Sequence, residues 1–461
     1  MILSFNSGTL LLSEIDSCLP DEIKNIFTLD PRTGCYTARA CDYASAVIAL
    51  LKNGIPFTDC AKDYAVLANT KLKKELVLRP HQQEALDCWI ANAKRGITVL
   101  PTGSGKTILA VSAIASAGRS ALILVPTIDL LTQWAAVLES FFDMPIGMLG
   151  GGSRDIQEIT VSTYDSAVLN MEFIGNKFGL LIADECHHLP ASEYKTASAM
   201  CTAPFRLGLT ATPEMAPERQ AVLFDQMGKI VCSKHIDELS GSILSPYTVK
   251  TIRTALLPDE EIRYRAARKC YTDFIRKKRI SFNTPDGWKN FMLQASRSDE
   301  GREAFEAFLE QREIARSGRE KIELLSRIFQ EHSGERIIIF TADNNTAYAI
   351  GRKYMLPVLT HHTKSSERKE FLDLFREGQY LVLVTSQVLN EGVDVPEAAV
   401  GVILSGSGSV REHVQRLGRI LRPAPGKKQA VLYELVSNAT SEESVSLRRR
   451  DHRAYQRKRW N

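Results

Sequence analysis

Long apolar runs are missing from the sequence, and no stretch approaches the ~18 consecutive apolar residues that a membrane-spanning helix needs. The first residues, Met1 to Asn6, lack both the basic segment and the long apolar segment of a secretory signal. We therefore expect no membrane association and a cytoplasmic location, or a nuclear one in a eukaryote.

Cysteines at metal-binding spacing are missing as well. The nine cysteines are scattered and none forms a Cys-x-x-Cys pair, which argues against a zinc ribbon and against a disulfide framework. A large excess of one charge is also lacking, because the net charge is only +4 over 461 residues. Overall composition therefore does not indicate a nucleic-acid partner, and the distribution of charge along the chain is more informative.

The stretch from Val99 to Thr107 reads Val-Leu-Pro-Thr-Gly-Ser-Gly-Lys-Thr, between an apolar run and a helix-prone run. This order predicts a strand, a glycine-rich turn and a helix N-terminus, which together close backbone N–H groups around an anion. Lys106 is placed to reach nucleotide phosphates, and the Thr107 hydroxyl to ligate Mg²⁺. The predicted phosphate-binding residues are Thr102, Gly103, Ser104, Gly105, Lys106 and Thr107.

Short apolar strands alternate with helical stretches between residues 76 and 245, and the alternation returns between 322 and 435. This pattern is typical of parallel α/β sheets. The strands predicted in the first segment are 97–100, 121–125, 159–161, 180–183 and 207–209. Those predicted in the second segment are 337–340, 381–384, 402–404 and 430–433. Ligands bind at the carboxyl ends of strands in such sheets, so the turns after these strands are the candidate sites.

The first 65 residues have a different character and predict a small α+β unit. We expect strands on either side of the Ser7-Gly8 turn and over Cys35–Ala40, and a helix over Tyr43–Lys52 with Asp42 as its N-cap. Nothing in this segment points to catalysis, so an accessory domain is the expectation.

Two adjacent acids, Asp184 and Glu185, follow an apolar strand downstream of the phosphate loop. An acid at a strand end can hold Mg²⁺, and a second acid beside it can orient or deprotonate the attacking water in phosphoryl transfer. The neighbouring pair His187-His188 has no third ligand cluster to support a zinc site.

A set of polar residues in the second α/β segment has helical spacing. Gln415, Arg419 and Arg422 recur at intervals of three and four residues, which places them on one helix face. An arginine presented from a second domain to a γ-phosphate stabilises the charge of the transition state. We predict that role for these side chains.

Basic residues are concentrated between 261 and 279, where eight of them accompany two acids and apolar residues recur at helical spacing. An amphipathic basic helix is predicted, continuing in helical structure to about Gly318. Phosphate contact is expected from Arg276, Lys277, Lys278 and Arg279, with a merely solvated helix face as the alternative. The tail from 448 to 461 is also basic.

Taken in order, these motifs resemble those of superfamily-two helicases, and more narrowly those of the XPB group in its compact archaeal form. The stretches that carry the resemblance are 79–82, 101–107, 125–127, 162–165, 184–188, 203–212, 386–396, 405–409 and 415–422. The helicase form of the phosphate loop does not require glycine at its first position, which here is Leu100.

The resemblance implies an α/β fold of two RecA-like parallel-sheet domains, with a small N-terminal α+β domain and a helical thumb insertion. The implied domains are a damage-recognition-like domain (1–65), a first, ATP-binding helicase domain (66–245) and a second helicase domain (246–461). The thumb falls at about 255–318, inside the second helicase domain, and the basic tail at 448–461.

Further roles follow from the resemblance alone. Arg79 and Gln82 would recognise adenine, while Gly392 and Asp394 would contact the nucleotide or couple it to the nucleic-acid strand. Thr127, Thr163 and Ser386 would contact nucleic-acid phosphates. ATP and Mg²⁺ are the implied cofactors and duplex or forked DNA the implied partner. A monomeric 3′→5′ DNA helicase or translocase is expected, serving repair or transcription beside a nuclease or a repair or transcription partner.

Two alternatives stay open at this stage. One is an RNA helicase or the motor subunit of a restriction-type system, and the other is a non-catalytic DNA clamp. The sequence also departs from the family in one place. Where the family carries Arg-Glu-Asp after the Thr-Ala-Thr motif, this chain reads Pro-Glu-Met-Ala-Pro-Glu-Arg-Gln from 213 to 220. The resemblance therefore supports translocation more firmly than strand separation.

Overall fold

A computed structural model describes the chain except at residues 16–18, 68–71, 214–215, 240–245, 283, 285, 387–397, 406–428 and 451–461. The fold consists of two compact units, one running from Met1 to Glu238 and the other beginning at Leu239. Within the parts that the structure describes, no helix is both long and apolar enough to cross a membrane.

The first unit opens with a small five-stranded sheet. Its strands are β1 (Ile2–Asn6), β2 (Thr9–Ser13), β3 (Thr28–Leu29), β4 (Tyr36–Arg39) and β5 (Thr58–Cys60), in the order β3-β4-β2-β1-β5. Neighbours are antiparallel except β1 and β5, which are parallel. The helices α1 (Asp21–Lys24) and α2 (Tyr43–Lys52) belong to the same segment, and α2 packs Ala46 and Leu50 into its core.

Asp42 occupies the predicted N-cap position of α2, but it does not cap the helix through its side chain. Its side chain accepts no capping hydrogen bond from α2 and instead binds the Arg39 guanidinium at 2.9 Å. Arg39 also reaches Asp225, with a contact of 2.6 Å. Asp42 is thus part of a polar contact that joins the small sheet to the following domain, a long-range partner that local sequence does not reveal.

An eight-stranded sheet forms the rest of the first unit, in the order β13-β6-β12-β11-β7-β10-β8-β9. Its strands are β6 (Arg95–Val99), β7 (Ala121–Val125), β8 (Ile146–Gly150), β9 (Ser153–Arg154), β10 (Ile159–Thr163), β11 (Leu180–Asp184), β12 (Phe205–Thr210) and β13 (Ile230–Ser233). All pairs are parallel except β8 with β9. The central strands are apolar and buried along their whole length because helices cover both faces of a parallel sheet.

Helices connect these strands and bury their apolar faces on the sheet. They are α3 (Pro80–Ala91), α4 (Lys106–Ala117), α5 (Ile128–Phe141), α6 (Tyr164–Ile174), α7 (Lys195–Ala199) and α8 (Pro217–Met227), and a short helix α9 (Ile236–Leu239) follows β13. The order of strands and helices brings the ends of β6, β7, β10, β11 and β12 to one edge of the sheet, where the candidate residues lie.

The second unit contains a six-stranded parallel sheet in the order β14-β19-β18-β15-β17-β16. Its strands are β14 (Tyr247–Thr254), β15 (Ile337–Phe340), β16 (Val358–Leu359), β17 (Val382–Thr385), β18 (Val400–Ile403) and β19 (Ala430–Ser437). The helices beside it are α13 (Arg319–Glu331), α14 (Asn344–Tyr354), α15 (Ser365–Arg376) and α16 (Ser441–Arg450).

Three helices are inserted between β14 and α13: α10 (Pro258–Lys277), α11 (Gly287–Ala295) and α12 (Asp299–Ser317). They share an aromatic core in which Phe274, Phe291 and Phe308 meet. We call this helical insertion, residues 258–317, the thumb. The predicted fold class, two parallel-sheet domains with a small α+β domain and a helical insertion, is confirmed.

Candidate nucleotide-binding site

The phosphate loop has the backbone shape that anion binding requires. Gly103 and Gly105 both have φ of +85°, a conformation that glycine adopts without the steric cost of a Cβ atom. Gly105 is the N-cap of α4, and no acidic residue lies in the first turn of that helix. The first N–H groups and the positive end of α4 therefore face the space that the loop encloses.

Helix α3 supports the loop from behind. Pro80 occupies its first turn, where the missing N–H costs nothing. The Nε2 atom of His81 donates to the Ser104 carbonyl oxygen at 2.8 Å. Nε2 of Gln82 donates to the carbonyl oxygens of Ser104 and Gly105, at 2.9 and 3.2 Å. These contacts tie two backbone carbonyls of the loop to α3.

The contacts of Gln82 are with the phosphate loop, whereas the resemblance implies a contact with adenine. The side chain is 3% exposed, its amide nitrogen is occupied by the loop carbonyls, and its Oε1 accepts the backbone N–H of Arg79 at 2.9 Å. A Cβ atom added at Gly105 would lie 2.3 Å from the amide nitrogen. The structure places Gln82 as a loop-positioning residue, and its predicted contact with adenine stays a prediction.

Lys106 and the acid pair meet at the neighbouring strand end. The Nζ atom of Lys106 lies 3.6 Å from Oε1 of Glu185 and 3.5 Å from the carbonyl oxygen of Leu100. The side chains of Lys106 and Glu185 are largely buried, with relative exposures of 12% and 14%. Glu185 has a positive φ of 46°, an uncommon conformation for a residue other than glycine and one that is concentrated at functional sites.

Asp184 lies deeper than Glu185 and is held by two donors. Nε1 of Trp134 donates to Oδ2 at 3.0 Å, and the backbone N–H of Glu185 donates to Oδ1 at 3.0 Å. Burial, reinforced by the Glu185 carboxylate, raises the pKa of Asp184 to about 6, against the opposing effect of Lys106 and Trp134. A divalent cation at this carboxylate would favour its ionised form.

The loop and the acid pair fit a nucleotide with Mg²⁺. The hydroxyl of Thr102 is buried and has no hydrogen-bond partner among the described residues, and Thr107 is half-buried in the first turn of α4. A phosphate oxygen would satisfy the first of these groups. Ligation of Mg²⁺ by Thr107 and Asp184 matches the preference of that ion for oxygen ligands.

Four residues of the site were not assigned roles from the sequence: Trp134, Tyr164, His187 and Thr210. The Tyr164 hydroxyl donates to the Asp184 carbonyl oxygen at 2.7 Å. His187 Nδ1 lies 3.1 Å from the Thr210 hydroxyl and 3.5 Å from Oε2 of Glu185. The Thr210 hydroxyl donates to the Thr212 carbonyl oxygen at 2.8 Å. These contacts link the acid pair to the end of β12.

Two of the predicted nucleic-acid contacts begin helices at the same edge of the sheet. The Thr127 hydroxyl accepts the Leu130 N–H at the start of α5, and the Thr163 hydroxyl accepts the Ser166 N–H at the start of α6. In the second unit, Ser386 follows β17 and is buried. Gly392, Asp394, Gln415, Arg419 and Arg422 lie outside the described residues, and their roles stay predictions.

The four basic residues predicted to contact DNA lie in the last turn of α10 and at the two positions after it, and all are exposed. Two of them have acidic neighbours: Lys277 binds Glu300 at 2.8 Å, and Arg276 lies 3.7 Å from Asp273. Near the start of α10, Arg263 binds Glu310 of α12 at 2.7 Å. The fourfold excess of basic residues between 261 and 279 is thus reduced by Glu300 and Glu310 of α12, which the sequence of one helix does not show.

Comparison with family models gives three matches along the chain. Residues 3–61 match the xeroderma pigmentosum group B helicase damage recognition domain. Residues 75–215 match the res subunit of type III restriction enzymes, and residues 320–424 match the helicase conserved C-terminal domain.

Comparison with whole proteins points the same way. The chain is 41% identical over 380 residues to the DNA 3′-5′ translocase XPB2 of Sulfurisphaera tokodaii, covering 82% of this chain and 86% of that relative. It is 30% identical over 373 residues to the DNA 3′-5′ helicase XPB of Mycobacterium tuberculosis, covering 78% of this chain and 60% of that relative. The crystal structure of the Pyrococcus furiosus Hef helicase domain matches with a TM-score of 0.52, 19% identity and coverage of 82% of this chain and 99% of that one. The last likeness shows the fold alone.

Proposed function

Since the chain belongs to the XPB family of DNA helicases and translocases, we propose that it is a DNA-stimulated ATP hydrolase that moves along DNA with 3′→5′ polarity. The observation that carries the proposal is the meeting of Lys106, Asp184 and Glu185 beside a loop shaped for phosphate. The family accounts for the direction and for DNA as substrate, and this geometry accounts for the chemistry.

Each residue has a definable task in that chemistry. The loop N–H groups and Lys106 would bind the β- and γ-phosphates, and the Thr107 hydroxyl and the Asp184 carboxylate would hold Mg²⁺, which would supply Lewis-acid charge. Glu185 orients or deprotonates the attacking water. Lys106 leaves Glu185 when it binds phosphate, and this departure frees the carboxylate for that task.

In the first unit, coupling to DNA rests on residues at the same edge of the eight-stranded sheet as the acid pair. Tyr164 donates to the Asp184 carbonyl oxygen and directly follows Thr163, so one hydrogen bond connects a predicted DNA contact to the acid pair. We assign Thr127, Thr163 and Ser386 to DNA phosphates, Gln415, Arg419 and Arg422 to the γ-phosphate, and Gly392 and Asp394 to the nucleotide or its coupling to DNA.

The domain organisation proposed from the sequence goes with this function: damage-recognition-like 1–65, helicase domains 66–245 and 246–461, and the thumb at about 255–318. The match of residues 3–61 to a damage recognition domain supports a role in DNA repair or transcription opening, with a nuclease or a repair or transcription factor as protein partner. A restriction-type motor is less well supported, because the match to the res subunit of type III restriction enzymes covers residues 75–215 only.

ATP hydrolysis measured with duplex DNA, single-stranded DNA and RNA tests the proposal. We expect DNA to stimulate ATP hydrolysis and RNA to stimulate it little. The Lys106→Ala variant should show no hydrolysis. Equal stimulation by RNA would favour an RNA helicase, and hydrolysis indifferent to every nucleic acid would overturn the motor function.

A further inference from the structure

The basic residues of the thumb are concentrated at one end. Residues 258–318 contain 13 basic and 11 acidic residues, yet residues 276–297 contain six basic residues and one acid. We call residues 276–297, which comprise the end of α10, the following connection and α11, the thumb tip. Lys277 is neutralised by Glu300, but Lys278, Arg279 and Lys289 are exposed. The tip therefore presents positive charge although the thumb as a whole is nearly balanced.

Two large aromatic side chains are exposed at the same tip. Trp288 is 46% exposed and Phe282 is 43% exposed. Both rings lean on the buried ring of Phe291, with centroid distances of 5.4 and 6.0 Å. Trp288 also packs against Phe308 at 5.3 Å. The rings are supported on one side and open on the other, so their orientation is fixed while part of their surface meets solvent.

We propose that Trp288 and Phe282 form a stacking platform for unpaired DNA bases, with Lys278, Arg279 and Lys289 binding the adjoining phosphates. This inference rests on the proposed DNA motor function and names the form of DNA that the thumb tip takes. Proteins that bind single strands combine a positive surface with aromatic faces in this way. Paired bases are shielded within a duplex, so the platform acts at a junction or bubble.

Charge decides between DNA and a protein partner as the occupant. An apolar patch that docks a protein is depleted of charge at its centre, whereas Lys289 directly follows Trp288, and Lys278 lies over the ring of Phe274, 5.9 Å from its centroid, in the aromatic cluster that supports the platform. Aromatic rings surrounded by exposed cations are complementary to nucleic acid.

Tryptophan fluorescence gives a direct test. The sequence has four tryptophans, Trp89, Trp134, Trp288 and Trp460, and the first two are buried, at 1% and 2% exposure. In a Trp460→Phe background without nucleotide, Trp288 is the exposed reporter. We expect a thymidine oligonucleotide to quench its emission at saturation, and a fully paired duplex to quench it much less.

Substitutions separate stacking from phosphate contact. We expect Trp288→Ala to weaken binding to single-stranded and bubble DNA about tenfold, the effect of one lost base stack, without changing the salt dependence. Trp288→Phe should restore most of the affinity because it keeps an aromatic face. Lys278→Ala with Arg279→Ala should weaken duplex and single-stranded DNA alike and flatten the salt dependence. The matched control is Ile262→Ala, a 70% exposed apolar residue at the far end of α10.

The outcomes distinguish this inference from the proposed function. DNA-stimulated ATP hydrolysis of the parent chain is measured first, and its absence would remove the motor function itself. If hydrolysis is stimulated but Trp288→Ala binds bubble DNA as tightly as the parent, only the stacking platform is overturned. Equal losses of affinity for duplex and bubble DNA in Trp288→Ala would also overturn the stacking platform, as would failure of Trp288→Phe to restore binding.

Discussion

Lys106 and Glu185 hold each other beside the phosphate loop, and each has a different task once nucleotide enters. Glu185→Gln keeps the loop and removes the carboxylate that acts on water. We expect kcat to fall by roughly 10²–10⁴, the usual contribution of a general base, with ATP affinity unchanged or higher because Lys106 is released. Rapid-quench hydrolysis and equilibrium binding of ATP would show this split.

Two variants calibrate that measurement. Lys106→Ala should lose ATP binding itself, and the exposed Glu193→Gln should behave as the parent chain does. Turnover by Glu185→Gln at the parental rate would mean that another group acts on the water.

Asp184 gives a pH dependence to stability. Burial raises its pKa from 3.8 to about 6, so the folded protein holds this proton more tightly than the unfolded chain. Its stabilising contribution is present near pH 4 and is lost as the pH rises through 6. In nucleotide-free protein, the free energy of unfolding should fall, relative to Asp184→Asn, by on the order of 3 kcal/mol between pH 4 and pH 7.5. Denaturation of the parent chain and of Asp184→Asn at the two pH values measures this difference, and the exposed Asp87→Asn is the control. If the free energy of unfolding depends on pH in the same way in the parent and in Asp184→Asn, the raised pKa of Asp184 is contradicted.

Gln82 distinguishes positioning of the loop from recognition of the base. Gln82→Ala removes one hydrogen bond from each of two loop carbonyls, a loss of roughly 0.5–1.5 kcal/mol per bond. If positioning is its role, the dissociation constants of ATP and GTP should rise by the same factor. Nucleotide binding to Gln82→Ala and to the exposed neighbour Gln83→Ala measures this. A loss confined to ATP would restore adenine recognition as the role of Gln82.

At the scale of the element, helix α10 presents fewer available cations than its sequence contains. Replacing Arg276, Lys277, Lys278 and Arg279 with alanine should flatten the plot of log K against log[salt], whose slope is about −0.9 per neutralised phosphate on duplex DNA. Because Lys277 is bound to Glu300, Lys277→Ala alone should change the slope least. Salt titrations of duplex binding test this, and an unchanged slope in the fourfold variant would favour a solvated helix face.

At the scale of the whole molecule, the segment after the Thr-Ala-Thr motif bears on what the motor does to DNA. Glu214 and Met215 lie outside the described residues, while Ala216 is the N-cap of α8 and Pro217 occupies its first turn. Met215→Arg, Ala216→Glu and Pro217→Asp together restore the family's Arg-Glu-Asp. We expect faster unwinding of a forked duplex without a matching rise in ATP hydrolysis.

The parent chain supplies the control for that experiment. Displacement of the third strand of a triplex measures translocation alone, and we expect it to exceed fork unwinding in the parent. A parent that unwinds forks as fast as it displaces a third strand would show that the tripeptide is dispensable, with the thumb tip as the next segment to examine.

Local sequence was sufficient where one stretch contains all the determinants. Strands 121–125 and 337–340 and helix Tyr43–Lys52 have their predicted bounds, because continuous apolar runs and short-range stop signals define them. The phosphate loop could be predicted from the sequence for the same reason. The strands β9, β13, β14 and β16 were missed because they are the edge strands of the two larger sheets, and β8, beside β9, was missed with them; neighbouring strands rather than their own residues specify them.

Only the tertiary structure decided which distant groups meet. The contacts from Gln82 to Ser104, from His187 to Thr210 and from Trp134 to Asp184 join residues 22, 23 and 50 positions apart. The same holds for Glu300, which neutralises Lys277. A sequence pattern reports what each residue can bind and which backbone it prefers. Which residues contact each other depends on how strands and helices pack, and that packing depends on the whole chain.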